Sequence, residues 1–260
     1  MKEQLLSRLP EDFPWRNQIH WFKTIDSTSN RAKAMAAEGA PHGTVLIADT
    51  QTAGRGRMGR SFASPEKTGL YLSVILRPNC SPKDLMHLTC AVGVAVCQAA
   101  EAFCGLQVAL KWINDLVIGK KKLGGILTEL AVDGERVDYA VVGIGINCNA
   151  VPTEVSGIAT SLSEALGKPA DINGFATALL DSLAKMSHAL LTNTDAIMEQ
   201  YRKRCITVGQ QICLLQGDTV RYGTALDIDS QGGLLVSYAD GTRETVNTGE
   251  VSVRGMYGYV

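Results

Sequence analysis

The sequence predicts an α/β fold: a mixed β-sheet with helices packed on one face, followed by a small all-β module. Three observations carry this reading. Through the first 207 residues, β-type runs alternate with segments whose apolar residues recur at helical spacing. From Val208 onward the texture changes to short strands separated by turn residues. A chain of 260 residues, 45% hydrophobic, is long enough to bury a real core and to carry a main domain plus a small one. The expected division is 1–207 and 208–260.

The elements follow in order. Residues 1–22, with Pro10 and Pro14, read as irregular and too few to fold alone. Ser27–Gly39 reads as a helix, with hydroxyl caps at its start, an Ala-rich middle and Gly39 as its stop. Thr44–Asp49 is a strand entering a Gly/Arg-rich loop, and Gly69–Leu76 is a second strand. Ser81-Pro82-Lys83-Asp84 opens a helix that runs to Cys104 and stops at Gly105. Gln107–Trp112, Leu116–Ile118, Leu123–Val132 and Arg136–Asn147 are strands, the last two joined by a turn at Asp133-Gly134. Ile172, Phe175, Leu179, Leu183, Met186 and Leu190 mark an amphipathic helix over Asp171–Leu191, and a shorter helix spans Thr194–Arg204. In the final module Asp240-Gly241 marks a turn between strands.

Composition narrows the function. With 25 Lys+Arg against 26 Asp+Glu the chain lacks the basic excess of a general nucleic-acid binder. No apolar run approaches 18 residues, the longest being Cys90–Cys97, so no membrane span is expected. MKEQLLSRLPEDFPW has no apolar core of a signal peptide. Seven cysteines, an odd number without a CxxC pair, argue for a reducing compartment and a cytoplasmic protein rather than a disulfide framework. Cys90, Cys97 and Cys104 share one helix face and read as core. The four histidines show no metal-ligand spacing, and no protein-held metal site is expected.

The charge is unevenly placed. Residues 51–67 and 111–122 carry Arg55, Arg57, Arg60, Lys67, Lys111, Lys120, Lys121 and Lys122 against Glu66 and Asp115, a local balance of +6. The rest of the chain carries −7. Two positive clusters in an acidic chain suggest an anion site, the alternative being two solvated basic loops.

The richest segment is Gln51-Thr-Ala-Gly-Arg-Gly-Arg-Met-Gly-Arg60. Glycines let backbone approach a ligand, and arginines offer planar forks to carboxylate or phosphate. Gly54, Gly56 and Gly59 match a dinucleotide fingerprint literally. That fingerprint must open a helix, whereas Ser61–Pro65 breaks one. No Walker A loop occurs. Lys111-Trp-Ile-Asn-Asp115 and the stretch from Gly119 to Gly125, paired as a hairpin, would bring Asn114, Asp115 and Lys122 together. In Gly143-Ile-Gly-Ile-Asn147 the glycines share one face of a strand, where a flat ligand or another backbone could lie.

Taken together and in this order, Asp26–Ser29, Gln51–Arg60, Lys111–Asp115, Lys122–Glu129, Gly143–Asn147 and Gly249–Arg254 resemble the biotin protein ligases. The resemblance covers the chain from about residue 20. It implies a catalytic domain of the class II aminoacyl-tRNA synthetase-like, lipoate/biotin-ligase type and a C-terminal SH3-like β-barrel. It implies a two-step reaction: biotin and ATP form biotinyl-5′-AMP, then a lysine of a biotin carboxyl carrier protein, of acetyl-CoA carboxylase or a related carboxylase, takes the biotinyl group. Mg²⁺ would shield the leaving pyrophosphate. No enzyme nucleophile is required, in keeping with the absence of a GxSxG elbow.

The same resemblance implies the site. Arg57, Lys122 and Asp115 would be catalytic, with Asp115 orienting the incoming lysine or a metal. Ser27, Thr28, Ser29, Gln51, Arg55, Gly56, Arg57 and Lys122 would hold biotin, although the hydroxyls at 27–29 also read as helix caps. Arg55, Arg57, Phe62, Asn114, Lys122 and Asn147 would meet ATP, with Phe62 stacking near the adenine. The chain departs from the family at Ser29, where Asn is common, and at Phe62, where Trp is common. Met58 and Ile113 replace a frequent Arg and Pro. The regulatory members carry an N-terminal helix-turn-helix. About 20 residues precede the catalytic region here, so a non-regulatory type is expected, without nucleic-acid binding; dimers are common among relatives. The competing readings are a lipoate-type ligase, a catalytically silent biotin-binding protein and a nucleotide-binding regulator.

Overall fold

In a computed structural model, which describes residues 2–254, a seven-stranded sheet forms the body of the protein. Its strands are β1 (Ile19–Ile25), β2 (Thr44–Gln51), β3 (Gly69–Leu76), β4 (Ala109–Lys111), β5 (Asp115–Ile118), β6 (Lys121–Asp133) and β7 (Arg136–Asn147). They lie in the order β1-β2-β3-β7-β6-β5-β4. The sheet is mixed because β1 pairs with β2 in parallel and every other neighbouring pair is antiparallel.

Strand alternation divides this sheet into two working faces. Leu70, Leu72, Val74 and Leu76 of β3 and Val142, Ile144 and Ile146 of β7 enter the main core. That core is covered by α3 (Leu88–Cys104) and α5 (Ile172–Ala189), with α6 (Thr194–Arg204) against α3 and Leu162 of the short α4 (Leu162–Leu166) joining it. On the other face Ile75 and Val141 pack with Ala32 and Ala36 of α2 (Thr28–Ala37). So α3, α5 and α6 share one face, while α2 covers part of the other.

Helix α3 is apolar around most of its circumference because sheet, α5 and α6 surround it. Lys83–Cys104 is long and apolar enough, by length and composition, to cross a membrane, but most of it is buried inside this fold. The expected unbroken helix from Ser81 is split. The Asp84 carboxylate accepts from Ser81 N and Oγ at 3.1 and 2.8 Å, closing a separate short turn over Lys83–Leu85. His87 then adopts a non-helical backbone before α3 begins.

Two further expectations are corrected. Residues 1–22 are not simply irregular: Lys2–Leu6 forms α1, which buries Leu5 near α5, and Ile19–Ile25 is a genuine edge strand. Its half-exposed residues hide the alternation that marks the other strands. The β6–β7 turn centres on Gly134-Glu135, one residue later than read, since Asp133 still pairs with Arg136 and Gly134 takes φ +57°.

A second, five-stranded antiparallel sheet follows: β8 (Gln211–Gln216), β9 (Thr219–Ile228), β10 (Leu234–Tyr238), β11 (Arg243–Val246) and β12 (Glu250–Val253). Its order is β11-β10-β9-β8-β12. Residues 255–260, the end of the expected module, lie outside the described residues. Polar contacts tie the second sheet to the rest of the fold: Trp112 Nε1 donates to Gly232 O at 2.8 Å in a buried bond, and Arg202 Nε of α6 donates to Ile228 O at 2.6 Å in a half-buried one. Apolar residues of both sheets join one continuous core.

Candidate active site

A cavity of about 510 Å³ opens where the two sheets meet. Its inner wall follows from the alternation in β7. Gly143 and Gly145 lie on the face away from the main core, and both are glycine for a steric reason. A Cβ on Gly143 would fall 2.5 Å from Ser29 Oγ, and one on Gly145 would fall 2.6 Å from Phe62 Cε1. The shared glycine face admits neighbouring side chains and lines the cavity. Phe62 packs over Gly145 and meets Tyr71 edge-on, with centroids 6.2 Å apart.

The polar end of this wall is a set of hydroxyls and one carboxamide. The N-terminus of α2 brings Thr28 and Ser29 to the cavity, while β3 places Ser73 behind them. Thr28 donates from both N and Oγ1 to Gln51 Oε1, at 2.8 and 3.0 Å. Gln51 Nε2 in turn donates to Ser64 Oγ at 2.8 Å. All these groups are buried or half-buried.

The mouth is cationic. Arg55, Arg57, Arg60, Lys111 and Lys122 reach the lining against two carboxylates, Asp115 and Glu250. Strand β5 and the segment before it organise three of the cations. Arg57 Nη1 donates to Asn114 Oδ1 at 3.1 Å, and its Nη2 to Gly249 O at 3.3 Å. Lys122 Nζ donates to Asp115 Oδ1 at 2.5 Å, with Lys111 Nζ 3.8 Å from Asp115 Oδ2. Two ammonium groups on one carboxylate leave an excess of positive charge partly out of water, which an anionic ligand relieves. Burial lowers the pKa values of both Arg57 and Lys111, and Asp115 opposes the shift in each case.

The loop between β2 and β3 is held from both sides. Gly56 N donates to Arg60 O at 2.7 Å, and Met58 adopts the left-handed region with φ +53°. Arg55 pairs with Glu129 at 3.0 Å and contacts Asn30 Oδ1 at 3.2 Å, while Arg60 pairs with Glu250 at 2.5 Å.

Most of the expected site converges here: Thr28, Ser29, Gln51, Arg55, Gly56, Arg57, Phe62, Asn114, Asp115 and Lys122 all line the cavity. Two expected residues stand apart from its lining. Ser27 caps α2, its side chain accepting from Asn30 N, so the capping reading describes it. Asn147 donates from Nδ2 to Thr160 O at 3.1 Å. Sequence reasoning passed over Lys111, Ser73 and Glu250 as site residues. Lys111 was legible as the first residue of its motif, but its burial was not. Ser73 looks like an ordinary strand residue, and nothing in the Gly249–Arg254 segment shows that Glu250 meets the arginine loop.

Residues 21–147 match the model of the biotin/lipoate A/B protein ligase family, and residues 207–254 match that of the biotin protein ligase C-terminal domain. A bifunctional ligase/repressor BirA of Bacillus spizizenii is 38% identical over 229 residues, spanning 85% of this chain and 69% of the relative. A biotin–[acetyl-CoA-carboxylase] ligase of Mycobacterium tuberculosis is 34% identical, spanning 91% of this chain and 89% of the relative. This chain belongs to the biotin protein ligase family. Among solved structures, the ligase of Aquifex aeolicus in complex with biotin and ATP superposes with a TM-score of 0.77 at 31% identity, covering 91% of this chain and 98% of that one.

In this ligase the segments matched by the two family models build one cavity between them. Residues from Thr28 to Gly145 come from the first, and Gly249 to Ser252 from the second. Two of the ligase's four departures are accommodated locally. Ser29 is short enough to sit over Gly143, and Phe62 retains an aromatic face over Gly145.

Proposed function

We infer that this ligase activates biotin with ATP and transfers it to a lysine of a biotin carboxyl carrier domain. A biotin carboxylate oxygen attacks the α-phosphorus, the bond to the bridging oxygen breaks, and pyrophosphate leaves with biotinyl-5′-AMP formed. The amine of the acceptor lysine, once deprotonated, then attacks the acyl carbon. An amide forms and AMP leaves. The observation that carries this reading is the adjoining of a hydroxyl-lined recess and a cationic mouth within one cavity.

Each part suits a portion of the reaction. The hydroxyls of Thr28 and Ser29 suit the polar ureido head of biotin. Arg57 and Lys122 suit the two anions that must meet, because fixed cations lower their mutual repulsion and stabilise charge growing at the α-phosphate. Phe62 offers a ring face to the adenine. Asp115, already holding two ammonium groups, serves to position them.

Mg²⁺ fits this site as a companion of the triphosphate. Both carboxylates on the cavity wall, Asp115 and Glu250, are engaged by cationic side chains. Mg²⁺ commonly keeps several waters and binds through substrate phosphates. It would supply charge neutralisation at the leaving pyrophosphate.

The acceptor is the carrier domain of acetyl-CoA carboxylase or a related carboxylase. Mass spectrometry of such a domain incubated with the ligase, ATP and biotin tests the proposal. One added biotinyl group is expected, and none with lipoate in place of biotin. An unmodified carrier, or modification by lipoate instead, would overturn it.

A further inference from the structure

The hydroxyls behind the cavity form a chain with a defined direction. It starts at a backbone group whose role is not open to choice. Thr28 N–H can only donate, and it donates to Gln51 Oε1 at 2.8 Å, which orients the carboxamide. The Thr28 hydroxyl proton goes to the same oxygen at 3.0 Å. Thr28 Oγ1 must then accept from Ser73 Oγ, 2.9 Å away. A hydroxyl has one proton, so Ser73, having given its own to Thr28, accepts from Ser29 Oγ at 3.1 Å. The far end is equally anchored: Gln51 Nε2 donates to Ser64 Oγ, which donates to Phe62 O at 3.0 Å, and that carbonyl can only accept.

The consequence lies at Ser29. Its proton is spent inward, toward a residue that is fully buried and does not line the cavity. What Ser29 presents to the cavity is lone pairs. Gly143 makes this possible, since a side chain there would take the place of the Ser29 hydroxyl.

We propose that Ser73 is a positioning and specificity-determining residue of this ligase, which orders the Ser29–Ser73–Thr28–Gln51 chain so that Ser29 meets the ligand solely as a hydrogen-bond acceptor. This rests on biotin being the ligand of the recess. The ligand group it selects is a ring N–H. A ring oxygen at the same place would set lone pair against lone pair, the kind of mismatch a buried polar site rejects strongly. Without the Ser73 hydroxyl the Ser29 proton loses its inward acceptor and can rotate toward the cavity, so the discrimination falls.

The test uses the full chain and titration calorimetry with biotin and with the two cyclic carbamate analogues, in each of which one ureido N–H is replaced by a ring oxygen. The original protein should bind biotin and reject one of the two carbamates by at least about tenfold. In Ser73→Ala that preference should shrink to a few-fold or less, biotin binding weakening while the rejected carbamate holds or gains. Ser73→Thr keeps the hydroxyl, places its methyl group beside Gly143, and should restore the preference. Equal loss for all ligands in Ser73→Ala would mean that Ser73 merely supports the wall, and would overturn the proposal. So would an original protein that binds biotin and both carbamates alike, a result that needs no variant to fold. An original protein that binds no biotin would instead overturn the functional reading itself, and this one with it.

Discussion

Arg57 and Gly249, 192 residues apart, are joined by a hydrogen bond of 3.3 Å from the guanidinium Nη2 to the backbone carbonyl. The arginine loop of the first sheet is thereby tied to the second sheet at the rim of the cavity. Arg57→Gly removes this tie together with the contact to Asn114. The expected result is faster escape of biotinyl-5′-AMP, by about tenfold or more, given the worth of hydrogen bonds to charged groups. Release of the adenylate and labelling of lysines on bystander proteins measure it. Unchanged release would show that the loop retains the intermediate without Arg57.

Lys122 and Asp115 give a second prediction. Lys122→Ala should slow adenylate formation by about 100- to 1000-fold, the usual range for losing one donor aimed at developing negative charge. The fold should persist, because Asp115 keeps Lys111 at 3.8 Å and the Lys122 side chain is about one-third exposed. Pyrophosphate release and a thermal melt, run in parallel, separate the two effects. A large fall in melting temperature would recast Lys122 as structural.

Lys111 predicts a pH dependence. Burial lowers its pKa from the ordinary value of 10.5, so on rising pH it loses its proton earlier than a surface lysine. If its charge helps to hold the anionic substrates, kcat/KM for adenylation should fall on an alkaline limb with its midpoint below 10.5. Lys111→Arg should push that limb upward, since a guanidinium stays charged. Stability should move the other way. Between the lowered folded value and 10.5 the unfolded chain holds the extra proton, so the Lys111 contribution to stability rises with pH across that window. A limb unaffected by Lys111→Arg would assign it to another group.

Gly145 and Phe62 can be tested as a pair. Gly145→Ala places a methyl group 2.6 Å from the ring and should cost about 1–3 kcal/mol. Phe62→Ala creates the room that methyl needs, so the double variant should be more stable than the sum of the two single effects implies. Denaturant unfolding of all four proteins gives the coupling. Strict additivity would mean that the ring is free to move away from β7.

Much of this protein was legible in one dimension. Gly69–Leu76, Arg136–Asn147 and Thr194–Arg204 stand where local pattern places them, because their apolar spacing matches the side they bury. The Gly/Arg loop and the Lys111–Asp115 motif carried their chemistry openly, since charge and glycine are properties of residue type. The edge strand Ile19–Ile25 escaped notice because half-exposed residues leave little alternation to read. The break before Leu88 escaped because it is a backbone departure at His87, φ −79° and ψ 1°, that no residue type marks.

What residue type could not convey is which polar groups are already spoken for. Ser27 and Ser29 read alike in the sequence, yet one caps a helix and the other faces the cavity. Asn114 and Asn147 read alike, yet one meets Arg57 and the other the backbone of Thr160. A hydrogen bond has direction and a side chain has few protons, so its role is decided by the neighbours that folding delivers. Sequence set the cations in two segments, and the family resemblance assigned the hydroxyls to the same ligand. Tertiary packing alone decided that Ser73 and Glu250 would join them and that Lys111 would be buried, because burial and proton order exist only once distant segments touch.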